Sequence, residues 1–541
     1  MLWSAARLGL PRRCLSYTAT HEVLNQVPPL VSTNLFTSNK TLSSLVKSLV
    51  PPPLFQHLTE AGSAFGSPAS YSHADAANAQ PPVLQTHDLQ GRRIDLVDYH
   101  PSYHALMQQG VESGATSLPF DNLGPSSERD GRHVARAALM YMLAQVDPGP
   151  VCPLVMTFAA FPAIESATSL PPDLKALLLE KLSQRYYDGR NLPMSEKTGI
   201  TVGMSMTEKQ GGSDVRANTT TATPTGRLGE HSLVGHKWFT SAPNSDCFLT
   251  LAKVDGKVSC FVVPRWLEDG WVGGEGGKSR FNEGLQFQRL KDKLGDKSNA
   301  SSEVEYRGAI GYLLGEIGRG VPDIIEMVHH TRLECALGSA GAMQRALSLA
   351  VHHAKHRDAF GSALVDQPLM QLLLADLAVE SKAATLMAIR LARGFEEEDD
   401  VFARVAVAAS KYHVCKRQPA FAYECLEILG GNGYCETFPL ARMFRASPLN
   451  SVWEGSGNVM ALDVLRALGK GGGEVEARLA EEWGQGVEMV KAADAGVVRP
   501  AEAGMYLDRL GGRSGGGNYG GGGEAAARLP EGELRAIIDG L

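Results

Sequence analysis

The spacing of apolar positions along this chain changes twice. From about residue 22 to residue 200 apolar side chains recur at helical intervals, broken by turns at Pro51-Pro52-Pro53 and across residues 62–72. Residues 135–144 read as a helix. So do residues 173–186, where Leu174, Leu177, Leu178, Leu179 and Leu182 form one face. Near Thr201 the period shortens. Up to about Ile310 come short β-prone runs at 219–223, 232–240, 247–252, 259–263 and 303–306, separated by Gly, Pro, Asn and Asp. Strands at that spacing predict a compact antiparallel sheet or barrel. The insert 273–277 reads as a loop.

From about Val321 the helical period returns. Residues 321–357, 367–393, 401–429 and 457–468 are long, rich in Ala and Leu, and joined by short connections, which predicts an antiparallel bundle. Pro419 is expected to kink the third of these helices. The chain therefore divides into an N-terminal α-helical domain (22–200), a middle β domain (201–310), a C-terminal α-helical bundle (311–470) and a tail (471–541). The tail carries Gly471-Gly472-Gly473, Gly515-Gly516-Gly517 and a glycine run at 520–523, with seven Lys/Arg against twelve Asp/Glu, a net of −5. Part of 477–493 and the stretch 524–540 are its helix candidates, and the glycine runs read as flexible linkers.

Composition narrows the class without naming a function. At 541 residues the chain exceeds one hydrophobic core. Its 43% apolar and 21% charged content is ordinary for a globular protein, and no apolar run is long enough to span a bilayer. A net charge of −7 disfavours a generally polyanion-seeking surface. Cysteines 14, 152, 247, 260, 335, 415, 425 and 435 form no Cys-x-x-Cys, so they read as reduced thiols, and no zinc-ligand spacing is present. His352 and His356 share a helical face but lack the rest of a metal motif, so they read as polar-face histidines. The first 21 residues carry Arg7, Arg12 and Arg13 and no acid, the composition of a mitochondrial transit peptide; the alternative is a frayed cytoplasmic N-terminus.

Two segments of the β domain carry the strongest chemical signal. Met206-Thr207-Glu208-Lys209-Gln210-Gly211-Gly212-Ser213-Asp214 is a polar turn whose glycines let backbone approach a ring or phosphate. Gly235-His236-Lys237-Trp238-Phe239-Thr240-Ser241-Ala242-Pro243 sets aromatic rings beside hydroxyls, which suits a flat heteroaromatic cofactor. Three more segments follow: Arg357-Asp358-Ala359-Phe360-Gly361, Ile428-Leu429-Gly430-Gly431-Asn432-Gly433-Tyr434 and Val452-Trp453-Glu454-Gly455-Ser456-Gly457-Asn458.

In this order the five segments resemble those of the acyl-CoA dehydrogenase family, with wording closest to its AidB branch of alkylation-response flavoproteins. The resemblance runs from about Thr18 to about Leu468. It implies an α+β multidomain fold with a flavin-binding middle domain, FAD as cofactor, and α,β-dehydrogenation of an acyl-CoA thioester. By resemblance Glu454 is the catalytic base. Met206, Thr207, Gly212 and Ser213 line the flavin, Phe239 stacks near its ring, Thr240 and Ser241 bond its reactive edge, and Ser456 and Asn458 meet it past the base. Arg357, Phe360, Gly430 and Gly431 reach the adenosine-diphosphate half from a neighbouring subunit, implying a homo-oligomer, dimer or tetramer. The plain alternative for Arg357 is a charge facing a helix dipole. The family's other base position falls at about Thr331, which cannot serve as a base. Electron-transfer flavoprotein is the family's expected acceptor, and an oxidase is a narrower option.

The alternative from a different class is an AidB-like flavoprotein that binds DNA and has little dehydrogenase activity. In that branch DNA association is attributed to a basic C-terminal region, whereas this tail is acidic. Lys411, Lys416, Arg417, Arg442 and Arg445 are the remaining candidates for a basic patch in the bundle.

Overall fold

The fold is described here from a computed structural model covering residues 20–121, 131–272, 278–471, 473–482 and 484. Residues 1–19 of the leader-like segment, the 273–277 insert, and the later glycine runs and last helix candidate of the tail lie outside the described residues. Among the described residues the N-terminal part holds seven helices: α1 (Lys40–Lys47), α2 (Pro52–Phe65), α3 (Pro68–Ala79), α4 (Pro101–Glu112), α5 (Arg132–Leu143), α6 (Pro148–Glu165) and α7 (Pro172–Leu182). A hairpin, β1 (Val83–His87) with β2 (Arg93–Asp98), interrupts them between α3 and α4. Proline opens most of these helices because its missing N–H costs nothing in a first turn. On α7 the leucine face resolves to Leu174, Leu178 and Leu182, all buried, and the helix stops four residues before the expected end.

The middle part contains β3 (Val202–Ser205), β4 (Thr221–Pro224), β5 (Glu230–Ser241), β6 (Cys247–Val254), β7 (Lys257–Pro264), a small hairpin of β8 (Trp266–Glu268) and β9 (Ser279–Phe281), then β10 (Leu285–Leu290) and β11 (Ser301–Leu313). Seven of these strands run in the order β10-β11-β7-β6-β3-β5-β4, and β11 also pairs with β5, which closes a barrel. The barrel is not wholly antiparallel, as the strand pattern had suggested. β3 slots between β5 and β6 and runs parallel to β6, and β4 also meets β6 in parallel. The long excursion from β3 through the glycine turn to β4 is what permits a parallel neighbour.

Strand alternation places the barrel between two cores. On β6, Cys247, Leu249 and Leu251 join α6 and α7, whereas Phe248, Ala252 and Val254 join the core shared with the large helices. On β7, Cys260 and Val262 face the first and Phe261 and Val263 the second. A strand buried on both faces reads as a continuous apolar run, which is what β6 and β7 show.

The C-terminal part is built on α8 (Gly320–His356), α9 (Pro368–Glu396), α10 (Asp400–Ile428), α11 (Pro439–Ala446) and α12 (Gly457–Lys470), with a two-residue hairpin, β12 (Asp358–Ala359) and β13 (Ser362–Ala363), after α8. α10 runs on through Pro419. The tail does not begin as a free linker. Residues 474–482 are helical, with Val475 and Leu479 against Val405 of α10, Glu482 pairing with Arg390 and Arg478 with Asp399. Among the described residues no helix is long and apolar enough to cross a membrane.

Candidate active site

The loop that carries Glu454 lies between α11 and α12. Glu454 has φ 55° and Gly455 φ 101°, consecutive left-handed residues that turn the chain sharply into α12. A left-handed non-glycine residue costs roughly 1–2 kcal/mol and persists only when its surroundings impose it. Here they do. Arg332 of α8 donates from Nε to the Glu454 carbonyl at 3.1 Å and is itself held by Asp463 of α12 at 2.6 Å. Lys411 of α10 donates to the carbonyls of Asn450 at 3.0 Å, Trp453 at 2.8 Å and Gly455 at 2.7 Å.

The Glu454 side chain points to α8. Its Oε2 lies 2.7 Å from Thr331 Oγ1, and that hydroxyl also lies 3.1 Å from the Val328 carbonyl. The hydroxyl has one proton and two lone pairs, so it serves both states of the acid. It donates to a Glu454 carboxylate. Facing a protonated Glu454, it accepts and turns its own proton to Val328. Thr331 is thus the side-chain partner of Glu454. Burial raises the Glu454 carboxyl above the ordinary glutamate range; Thr331 and the positive charges of Arg332 and Lys411 pull it back only in part. A carboxyl raised this way accepts a proton more readily and loses its carboxylate form as pH falls through the raised value. Thr331→Val keeps shape and removes the donor. The expected result is kcat/KM lower by about 10-fold at pH 7, with the acid limb of the pH–rate profile moved to higher pH. An unmoved limb contradicts this pairing.

The glycine turn is held from the other side. Trp238 N–H donates to the Thr207 carbonyl at 2.8 Å, joining the two β-domain segments. A Cβ at Gly212 would sit 2.3 Å from Thr207 Oγ1, so the turn closes only with glycine. Beneath it Glu208 and Lys237 are fully buried and paired at 2.9 Å, and Glu208 also accepts from the backbone N–H groups of Thr219 at 2.6 Å and Thr220 at 3.2 Å. Met206 gives its carbonyl to Asn218 at 3.0 Å, and Ser213 is exposed. Phe239 leaves 44% of its surface uncovered at the barrel wall, with Lys291 Nζ 4.8 Å from its ring centre. Trp238 is half-buried and lies under the same ammonium at 3.1 Å. Thr240 departs from the expected role: its hydroxyl is buried and sits 2.5 Å from Ser205 Oγ inside the barrel, so Ser241, half-buried, is the hydroxyl left for an outside group.

One residue that sequence reasoning passed over links the two halves. Cys152 on α6 feels the charge of Glu454 and the hydroxyl of Ser241, and burial pushes its thiol up to about 12. The internal Pro153 and Pro162 hide α6 from a propensity reading. Lys411 was also misread, as part of a surface patch. The available signal was its place on the buried α10 face with Val407, Val414 and Cys415.

The remaining predicted residues are distant within one chain. Thr331 and Arg357 are separated by about 26 residues of continuous helix, roughly 39 Å. Arg357 caps the end of α8 and donates to the Asn25 carbonyl. Phe360 is 98% exposed. Gly430 and Gly431 are exposed, and a Cβ on either would meet nothing. Ser456 and Asn458 stay with the base loop, Ser456 as the N-cap residue of α12. The basic patch dissolves on inspection. Lys411 is buried, Arg417 pairs with Glu380, Arg442 with Asp75 and Asp147, and Arg445 with Glu436; Lys416 is exposed. His352 bonds the Pro28 carbonyl at 2.8 Å, and no metal-holding group of His, Cys, Asp or Glu occurs among the described residues.

A helical domain, a strand barrel and a helical bundle around a half-buried glutamate loop define the acyl-CoA dehydrogenase class. Residues 25–189 match the AidB N-terminal domain, 203–309 the acyl-CoA dehydrogenase middle domain and 318–469 the acyl-CoA dehydrogenase C-terminal domain. The chain belongs to the acyl-CoA dehydrogenase family. It is 44% identical to AidB of Escherichia coli (strain K12) over 460 residues, 84% of this chain and 81% of that one. It is 30% identical to acyl-CoA dehydrogenase family member 11 of Caenorhabditis elegans over 456 residues, 80% of this chain and 70% of that one. Among solved structures, the apo form of Bd2924 aligns with a TM-score of 0.75 at 29% identity, covering 90% of this chain and 99% of that one. ACDH-11 of Caenorhabditis elegans in complex with C11-CoA aligns with a TM-score of 0.76 at 24% identity, covering 98% and 94%.

Proposed function

We propose that this chain is an FAD-dependent dehydrogenase of acyl-CoA thioesters, with Glu454 as the base that takes the α-proton. The observation that carries the reading is Glu454 itself: a carboxyl raised by burial, fixed in a left-handed turn, partnered by a hydroxyl that fits both of its protonation states. The β-domain residues fit a flat cofactor. Gly212 keeps the turn closed on Thr207, while Phe239 offers an uncovered ring and Ser241 a hydroxyl. Bound there, FAD supplies the hydride acceptor that no side chain provides. Glu454 receives the proton at its carboxylate, and Thr331 follows the change by turning its hydroxyl from Glu454 to Val328.

The distant set supports a homo-oligomer. A span of roughly 39 Å is longer than an extended dinucleotide, so Arg357, Phe360, Gly430 and Gly431 can serve the same cofactor only from a second copy. An exposed phenylalanine and glycines facing open space fit such a shared site. Electron-transfer flavoprotein is the proposed acceptor.

The test is reconstitution with FAD followed by anaerobic titration with acyl-CoAs of graded length and branching. The expected result is a yellow protein whose flavin band bleaches with at least one of them; protein that takes up no FAD overturns the reading. The AidB-like alternative is tested by gel retardation of duplex DNA across a salt series. Phosphate contacts need exposed cations, and four of the five bundle candidates are already paired or buried, so no shift is expected even at low salt.

A further inference from the structure

Lys411 is 1% exposed, yet among the described residues its hydrogen bonds go to backbone carbonyls and to no carboxylate. Its three N–H donors meet three backbone carbonyls, those of Asn450, Trp453 and Gly455. An ammonium has three donors and no acceptor, so the set is saturated. The three carbonyls lie on both sides of Glu454 in sequence. The fourth carbonyl of the run, that of Glu454, is taken by Arg332. The peptide groups of 453, 454 and 455 therefore all point their oxygens at cations, across the two consecutive left-handed residues 454 and 455. Around the loop the supports are themselves tied down. Asn450 donates to Ser339 of α8 at 3.0 Å and accepts from Trp453 Nε1 at 2.9 Å.

We propose that Lys411 is the positioning residue of the base: chelated by the Asn450, Trp453 and Gly455 carbonyls, it holds Glu454 in its left-handed turn and places a fixed positive charge beneath the carboxylate. This rests on Glu454 being the base. Lys411 works here as a bound cation would, ordering backbone oxygens around one centre. Its charge acts in the same direction as that of Arg332, favouring the ionised carboxylate. The groups facing Glu454 are Thr331 and Arg332 from α8, Lys411 from α10 and, through Arg332, Asp463 from α12. Lys411 is the only one of these that grips the loop at more than one peptide.

The test uses the FAD-loaded protein and a 3-thia-acyl-CoA, whose α-carbon can lose a proton but whose β-position carries sulfur and no hydride. Exchange of the α-proton with solvent deuterium, followed by mass spectrometry, then reports the base alone. Lys411→Gln keeps two donors and loses the charge. The expected result is exchange slower by about 10–100-fold, an acid limb moved to higher pH, and unchanged affinity for the 3-thia-acyl-CoA. Parental exchange and an unmoved limb in the folded variant overturn the proposal. If Lys411→Gln does not fold, Lys411→Arg decides. It keeps the charge but cannot bring three donors to one centre, so the limb should stay while exchange slows; parental exchange overturns the proposal. Glu454→Gln separates the two readings. If it exchanges at the parental rate, the base assignment fails. If it does not exchange while Lys411→Gln does so normally, only the positioning role fails.

Discussion

Glu454→Gln should bind FAD and acyl-CoA as the parent does and reduce its flavin about 10²–10⁴-fold more slowly, the range a positioned general base supplies. Glutamine keeps the shape and can still bond Thr331, but it has no lone pair basic enough for an α-proton. The same variant should melt no lower than the parent, and higher once pH exceeds the raised Glu454 value. The sign follows from the raised carboxyl. A group whose folded value lies above its unfolded one contributes stability fully below the unfolded value and loses it as pH rises through the folded one. At neutral pH the parent therefore bears the cost of a charged, desolvated Glu454, and the glutamine variant does not. Stability gained with activity lost is the signature of a strained functional group. A variant that bleaches at the parental rate removes Glu454 as the base, whatever its melting temperature.

Lys237→Met should cost about 3–5 kcal/mol of barrel stability and with it retention of FAD, because it leaves Glu208 charged, buried and without its cation. Both side chains are 0% exposed, so neither can turn to water. Burial alone would raise the Glu208 carboxyl. The ammonium of Lys237 and the N–H groups of Thr219 and Thr220 outweigh it and hold the carboxyl down at about 2. A depressed carboxyl contributes stability that is present above its unfolded value and is lost as pH falls through the folded one, so acid should loosen the glycine turn between about pH 4 and 2. The double variant Glu208→Gln/Lys237→Met should recover much of the loss, since two neutral groups leave no orphaned charge. Urea unfolding of the parent, Lys237→Met, Glu208→Gln and the double variant measures the coupling. A single variant within about 1 kcal/mol of the parent would show that the pair does not hold the turn.

The sequence period located the three parts because each has a distinct burial geometry. α8, α9 and α10 bury long Ala/Leu faces, and β6 and β7 alternate between two cores. The parallel placement of β3 was not legible, since strand order depends on contacts more than forty residues apart. α6 was obscured by Pro153 and Pro162, and with it Cys152. The site was legible where a motif is local, as in the Glu454 loop and the glycine turn. It was not legible where helices supply single groups from afar. Thr331, Arg332 and Lys411 converge on one loop from two helices, and nothing in their own neighbourhoods shows the convergence. Thr240 shows the reverse failure: a hydroxyl in the right motif turned into the barrel.

The most direct measurement is stopped-flow mixing of the FAD-loaded protein, without oxygen, with a turning-over acyl-CoA in α-protio and α-dideuterio forms. The account predicts loss of the flavin band in both, several-fold slower with deuterium, because Glu454 must break the Cα–H bond. A band that fades equally fast with both forms, or does not fade with any chain length, would contradict it.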